Sequence, residues 1–261
     1  MKNLKFALAF LFAGVLSSCL DTEEKIVINA DNSGSYSMSF DLGRMFKMLS
    51  SMGGDKANPD KIKEKKDTTI FLKDLMNATD SLTAEEKILY KDGKVYLKLD
   101  EEKDEMKIEM STPFKNMSDL ASIKNNFTTV LNKLKAFDKA TGEKQKLNVE
   151  EAGMDAGAKS ANPVSDQFTF KAAPGSVSNT INDIAAFKNK VATDSTFSMI
   201  SQMTAMTGDF NYHTIIILPK AVKGYDGPGS TISTDKKTIT FNTTLKEMVA
   251  HPEKVSYLVK Y

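Results

Sequence analysis

Cysteine is almost absent from this 261-residue chain, which contains one, Cys19. A disulfide within the chain is excluded, because it requires two thiols. A cysteine-rich zinc site is excluded by the same count, since structural zinc takes several Cys or His ligands. The two histidines, His213 and His251, lie far apart in the sequence, and each is predicted to be a strand or loop residue. We therefore predict neither a metal site nor a cofactor.

An excess of charge of one sign is also missing, as 35 basic residues face 34 acidic ones. Nucleic-acid-binding proteins normally carry a clustered basic excess, so the balance argues against a nucleic-acid partner. Tryptophan is absent, which leaves a carbohydrate-stacking platform without support. The hydrophobic content of 41% and charged content of 26% are typical of a globular protein.

No stretch of the chain reaches 18 consecutive apolar residues, the length that predicts a membrane-spanning helix. The N-terminus instead has the layout of a secretory signal peptide. Lys2 and Lys5 form a positive region, and the short apolar segment 6–16 follows it.

The end of this signal is more specific than a general cleavage site. Leu16-Ser17-Ser18-Cys19 places an aliphatic residue and two small residues before the single cysteine. This pattern resembles the lipobox of bacterial lipoproteins. The resemblance implies that residues 1–18 are removed, that Cys19 is the lipidation site, and that its acyl chains anchor the protein in the outer membrane. The alternatives are an ordinary signal peptide or an N-terminal helix with an incidental cysteine.

An acidic segment, Asp21-Thr22-Glu23-Glu24, follows the lipobox. It resembles the surface-export signal of Bacteroidota lipoproteins; a solvated tether is the alternative. The protein would face the cell surface in the first case and could face the periplasm in the second. The predicted organisation is therefore a signal peptide at 1–18, an acidic tether at 19–24 and a single domain at 25–261, with a flexible insert near 138–165.

Alternating apolar residues predict that the domain begins with a hairpin, Lys25–Asp31 and Gly34–Leu42, closed by an Asp-Asn-Ser-Gly turn. Residues 118–137 repeat apolar side chains at three- and four-residue spacing, which predicts an amphipathic helix packed on a core. Hairpins are also predicted at 94–110 and 231–242. The predicted fold class is α+β, with a curved antiparallel sheet built from hairpins and with amphipathic helices mainly on one face.

Other segments carry weaker signals. The charged segment 55–67 predicts a loop, and residues 68–79 predict a helix. Residues 82–90 predict a second helix that opens with a capping box, formed by Ser81 or Thr83 with Glu85 or Glu86. The glycine-rich segment 223–229 predicts a loop, because no helix follows that would cradle a phosphate.

Motifs that would identify an enzyme are missing from the sequence. It contains no Gly-x-Ser-x-Gly, no Walker loop, no His-Glu-x-x-His and no calcium-binding EF-hand loop. The acidic residues of segment 100–105 lie beside lysines in a predicted hairpin turn, which favours a solvated surface. We therefore assign no catalytic residue and predict that the protein is not an enzyme.

Two features favour a binding role. All of the 14 methionines except Met1 follow the signal peptide, and many lie on predicted helices, where they can line an apolar cavity or fill an ordinary core. The segment Val27–Leu42 behind the lipobox, and the ending with Leu218-Pro219, the Asp235 hairpin and the Leu245 helix, resemble the lipoprotein-M type family. That resemblance implies an α+β domain with a curved sheet that binds or shuttles lipids.

The leading hypothesis is a membrane-anchored, non-enzymatic envelope lipoprotein that binds an apolar or lipid-like ligand. Its partners would be the membrane, through the acyl chains on Cys19, and a lipid or another envelope protein. The alternative is a structural adaptor of an envelope protein complex, and an unrecognised hydrolase comes third.

Overall fold

The computed structural model describes residues 20–44, 47, 64–77, 81–136, 139, 167–193, 197, 204 and 208–261. Its strands, in chain order, are β1 (Leu20–Ile28), β2 (Gly34–Asp41), β3 (Lys65–Phe71), β4 (Lys94–Asp100), β5 (Glu105–Phe114), β6 (Phe168–Ala173), β7 (Ser176–Ile181), β8 (Phe210–Ile217), β9 (Gly224–Asp226), β10 (Ser230–Ile232), β11 (Thr238–Thr244) and β12 (Tyr257–Lys260). Its helices are α1 (Leu72–Met76), α2 (Ala84–Tyr90), α3 (Met117–Lys133), α4 (Ile184–Thr193) and α5 (Leu245–Ala250), and a 3-10 turn covers Pro252–Val255.

The described strands form two sheets, which confirms the predicted α+β class. The larger sheet has eight strands in the order β10-β11-β8-β1-β2-β5-β4-β3. The smaller has four strands in the order β6-β7-β12-β9 and is antiparallel throughout. The larger sheet is mixed, because β1 pairs antiparallel with β2 and parallel with β8. The long connection to β8 permits that parallel pairing, since parallel neighbours cannot be joined by a tight turn.

The first hairpin forms as its turn residues predict. Asn32 adopts a positive φ of 66°, and the Asp31 carboxylate accepts hydrogen bonds from the backbone N–H and the hydroxyl of Ser33. Gly34 is required by space, because a Cβ there would lie 1.8 Å from the carbonyl oxygen of Val27. The apolar residues of β2 and the following position are buried on one face, as predicted: Tyr36, Met38, Phe40 and Leu42.

Helix α3 buries the apolar stripe that the sequence predicts. Its N-cap residue Asn116 accepts a hydrogen bond from the backbone N–H of Asp119 through its side chain. The stripe packs into the main core: Leu120, Ile123, Phe127, Val130 and Leu131. The described methionines outside the cavity contribute to the same core, among them Met76, Met106, Met110 and Met117. The structure therefore favours core packing as the main role of these methionines.

The predicted acidic tether is wrong for residues 20–24, which belong to strand β1. Asp21 to Glu24 pair with residues of β2 on one side and of β8 on the other. Backbone pairing on both sides outweighs the exposure that a run of acidic residues favours, because alternate side chains point to opposite faces. Thr22 and Glu24 thereby point to the same interior face as the apolar Ile26 and Ile28.

Two other predicted segments also differ. Residues 65–71, predicted as the end of a loop and the start of a helix, form edge strand β3, and helix α1 is limited to Leu72–Met76. Thr68, Thr69 and Ile70 are β-branched, which favours the extended backbone once β4 supplies a neighbour. Part of the predicted loop 223–229 forms the short strand β9 against β12.

Several predictions fall outside the described residues. The signal peptide 1–18 and Cys19 lie there, as does the insert near 138–165 apart from Lys139. None of the helices in the described segments is long and apolar enough to cross a bilayer.

Candidate functional site

A small cavity of about 110 Å³ lies between the two sheets. Strands β1, β2, β8 and β11 of the larger sheet form one side of it. Strands β6, β7 and β12 of the smaller sheet, together with helix α3, form the other. Both ends of the described chain therefore contribute to one site, since β1 is its first strand and β12 is its last.

An ion pair between Glu24 and Lys124 lies in the cavity wall. The Lys124 ammonium group donates to Glu24 Oε1. The Tyr36 hydroxyl donates to the same oxygen at 2.8 Å, and the Thr214 hydroxyl donates to Oε2 at 3.2 Å. The two charged side chains keep 14% and 13% of their surface exposed, so the carboxylate has exchanged most of its water for three protein donors.

Aromatic rings complete the surroundings of Lys124. Its ammonium nitrogen lies 5.1 Å from the centre of the Phe170 ring and 5.9 Å from that of Tyr36, within the range of cation–π attraction. The neighbouring Asn125 fixes strand β6 in place, because its side chain donates to the carbonyl of Phe170 and accepts from the N–H of that residue. Helix α3 thus positions both the Lys124 ammonium group and the Phe170 ring.

Two hydroxyl groups of the cavity wall have no hydrogen-bond partner among the described residues. They belong to Thr22, which is 3% exposed, and Tyr257, which is 5% exposed. Leaving a buried polar group unsatisfied costs about 1–3 kcal/mol. Such groups are therefore retained where water or a ligand supplies the missing hydrogen bond.

The remaining surface is largely aromatic. The rings of Tyr257 and Phe241 stack with their centres 4.6 Å apart, and Phe168 and Phe170 lie on the β6 side. Met38 and Met248 add two thioether side chains. Polar groups set among aromatic side chains are typical of a site that binds an amphiphilic small molecule.

Burial keeps the phenols of the site protonated. It raises the pKa of Tyr257 and that of Tyr36 well above the ordinary range, and the negative charge of Glu24 adds to both shifts. Burial, with a smaller contribution from the Asp209 carboxylate, raises the pKa of Tyr212 to about 12. At physiological pH each of these side chains is a neutral hydroxyl that can donate a hydrogen bond.

The residues considered from the sequence lie in different places. His213 is on β8 at the cavity wall, where its Nδ1 lies 2.7 Å from Oδ1 of Asn242. His251 follows helix α5 and lies 3.4 Å from the Glu253 carboxylate. The predicted lipidation site, Cys19, lies outside the described residues.

The acidic hairpin turn forms ion pairs with neighbouring lysines, and its residues range from the exposed Glu102 to the buried Asp100. Lys65 pairs with Glu102 at 2.5 Å, and Lys98 pairs with Glu105 at 2.7 Å. This acidic cluster does not contribute to the cavity, where Glu24 is the one carboxylate among the described lining residues.

Sequence reasoning missed the two charged residues that define the site. Glu24 falls in the predicted tether, and Lys124 falls in the predicted amphipathic helix without belonging to its apolar repeat. A signal was present for each. Glu24 continues the alternation of Ile26 and Ile28, and Lys124 is four residues after Leu120 and three before Phe127, on the apolar side of α3.

Comparisons with known proteins find only a distant similarity. No protein-family model and no curated protein matches the chain. Among solved structures, the chain is similar to the NMR structure of the folded domain of the Mycobacterium tuberculosis LppM protein. The TM-score is 0.32 and the sequence identity 7%, over 94% of this chain and 91% of that chain. The resemblance predicted from the two ends of the sequence is thus matched by a distant structural similarity, which carries no argument about ligand or activity.

Proposed function

We propose that this protein is a membrane-anchored, non-enzymatic envelope lipoprotein that binds an amphiphilic, lipid-like ligand in the cavity between its two sheets. One observation carries the proposal: the hydroxyls of Thr22 and Tyr257 are buried in the cavity wall without partners, beside an aromatic surface. A ligand with a polar end and an apolar end would satisfy both kinds of wall.

The size of the cavity limits how much of the ligand it encloses. An apolar cavity of about 150 Å³ is known to hold one benzene molecule, so about 110 Å³ suits a polar group with a few carbon atoms. The rest of a longer ligand would extend beyond the cavity. A carboxylate pair of the kind that glycoside hydrolases use would need a second acid beside Glu24, and the described lining residues include none.

Native mass spectrometry of the acylated protein, purified from its own envelope, tests this function. We expect an additional mass that corresponds to a bound amphiphile. Thr22→Leu replaces a cavity hydroxyl with a larger apolar group and should remove that mass. The matched control is Thr69→Leu, a change on the exposed side of edge strand β3, which should retain it. Circular dichroism of both variants checks that they fold. If the acylated wild-type protein showed no bound mass, the proposal would be contradicted.

The anchoring part of the proposal has its own test. Metabolic labelling with an alkyne-bearing fatty acid should label the wild-type protein, and Cys19→Ala should abolish the label because the single thiol of the chain is removed. Persistent labelling of Cys19→Ala would contradict acylation at this position.

A further inference from the structure

Two charged groups in the cavity wall, the Glu24 carboxylate and the Lys124 ammonium, compensate each other. The Glu24 carboxylate accepts from Lys124, Tyr36 and Thr214, so its acceptor positions are largely used. The Lys124 ammonium lies between that carboxylate and the Phe170 ring. Lys254, the one other charged residue among the described lining residues, is exposed, where solvent screens its charge.

A charged ligand group would disturb this compensation. An anion beside the two free hydroxyls would lie in the field of Glu24, which adds to the effect of burial in raising the pKa of Tyr257. A cation would lie in the field of Lys124. Either would give up its own hydration on entering the cavity and find no uncompensated partner there.

A neutral group avoids both costs. The hydroxyls of Thr22 and Tyr257 can each donate one hydrogen bond and accept others, and neither is used by the described residues. An alcohol, an ester or an amide offers donors or acceptors that match them without adding charge.

We propose that the cavity selects a neutral hydrogen-bonding head group, with the Thr22 and Tyr257 hydroxyls as its direct partners and the Glu24–Lys124 pair as the element that rejects charged heads. The inference rests on the proposed function and deepens it, since it names the chemical class of the ligand. Thr22 belongs to the larger sheet and Tyr257 to the smaller one, so a head group bonded to both hydroxyls would bridge the two sheets.

The experiment compares three ten-carbon probes that differ in the head group: 1-decanol, decanoate and decylammonium. Each is titrated calorimetrically into the full chain carrying Cys19→Ser, made by cell-free synthesis so that no acyl chain competes. We expect 1-decanol to bind at least about 10-fold more tightly than either charged probe. Tyr257→Phe and Thr22→Val should each weaken decanol binding about 3- to 10-fold, the effect of losing one neutral hydrogen bond.

A matched control separates recognition from general damage. Tyr225 is half-exposed on β9 and lies outside the cavity, so Tyr225→Phe removes a phenolic hydroxyl but should leave decanol binding unchanged. Tyr257→Phe keeps the ring that stacks on Phe241, so the fold should persist, and thermal unfolding verifies it.

The outcomes distinguish the two proposals. Equal or tighter binding of decanoate or decylammonium would overturn the neutral-head inference and leave ligand binding standing. Decanol binding that is unaffected by Tyr257→Phe and Thr22→Val would overturn the roles of those hydroxyls. If none of the three probes binds, the proposed function itself is contradicted.

Discussion

Lys124 has a charged side chain on the buried side of helix α3, between the core residues Ile123 and Phe127. A cation in that position is costly unless it is paired, because water is largely excluded. The Glu24 carboxylate is its partner, and the Phe170 and Tyr36 rings add a favourable electrostatic contribution. The pair is therefore retained as a unit, which is a testable property of two residues 100 positions apart.

Removing one member of the pair should cost more than removing both. We expect Lys124→Met to lower the free energy of unfolding by about 2–4 kcal/mol, somewhat less than for a fully buried pair because both side chains retain some exposure. The double variant Glu24→Gln with Lys124→Met should recover a large part of that loss. Urea denaturation measures each value.

Lys188→Met is the matched control, because Lys188 is exposed on helix α4. It should change the free energy of unfolding by less than about 0.5 kcal/mol. If the double variant lost the sum of the losses measured for Lys124→Met alone and Glu24→Gln alone, the charges would be acting independently and the pair would have no special role.

At this scale the sequence predicts core residues better than the site. Tyr36, Met38 and Phe40 were assigned to a buried face from their alternation, and they are buried. The burial of Glu24 is not predicted, because an acidic side chain is normally exposed and the partner of Glu24 is distant in sequence. The alternation with Ile26 and Ile28 places Glu24 on the interior face, but a local pattern does not reveal the tertiary contact with Lys124 that makes this burial possible.

Helix α2 is an element whose start the sequence specifies. Thr83 and Glu86 form the predicted capping box, and each side chain bonds the other residue's backbone N–H. Glu86 also accepts from Lys133 at 2.7 Å, which ties α2 to the end of α3. That bond to Lys133 is the main reason why the pKa of Glu86 is lowered below its ordinary value of 4.5.

The lowered pKa predicts a pH dependence of stability. Because the folded state binds the Glu86 proton less tightly than the unfolded state, the stabilisation is complete above about pH 5 and is lost as the pH falls through the lowered pKa. We expect Glu86→Gln to cost about 0.5–1 kcal/mol at pH 7 and less at pH 3. Urea denaturation at the two pH values measures the difference.

Glu85→Gln, in the same turn but exposed, provides the control, and its effect should differ less between the two pH values. A cost of Glu86→Gln that is equal at both pH values would show that the carboxylate charge does not matter and that the cap alone is affected.

The sequence does not predict two strands of the smaller sheet, β7 and β9. Strand β9 covers Gly224–Asp226 and strand β7 lies between β6 and β12, and neither has a clear alternation of apolar residues. Their extended backbone is stabilised by a neighbouring strand rather than by their own composition. Longer elements such as α3 contain enough repeats of their pattern to be predicted from the sequence.

Strand β1 joins the N-terminal and C-terminal parts of the larger sheet, because it pairs with both β2 and β8. It lies between β2 and β8 in the larger sheet, and its register aligns Leu20 with Phe210. A parallel pairing between such distant segments cannot be read from local periodicity, which explains why residues 20–24 were predicted to lie outside the domain. In the structure they contribute both to the centre of the sheet and to the cavity.

Deleting residues 20–24 from the full chain should therefore destabilise the whole protein. The deletion removes backbone pairing to two strands and leaves Lys124 without its carboxylate, so we expect a loss of at least about 4 kcal/mol, a large part of the about 5–15 kcal/mol of a typical domain. Thermal unfolding followed by circular dichroism measures the loss.

Inserting a six-residue Gly-Ser segment between Cys19 and Leu20 is the control. It lengthens the link to the predicted anchor without changing β1, and it should leave the thermal unfolding midpoint within about 2 °C of wild type. If instead the deletion variant unfolded at the wild-type temperature, residues 20–24 would be a tether after all, and the cavity could not depend on Thr22 and Glu24.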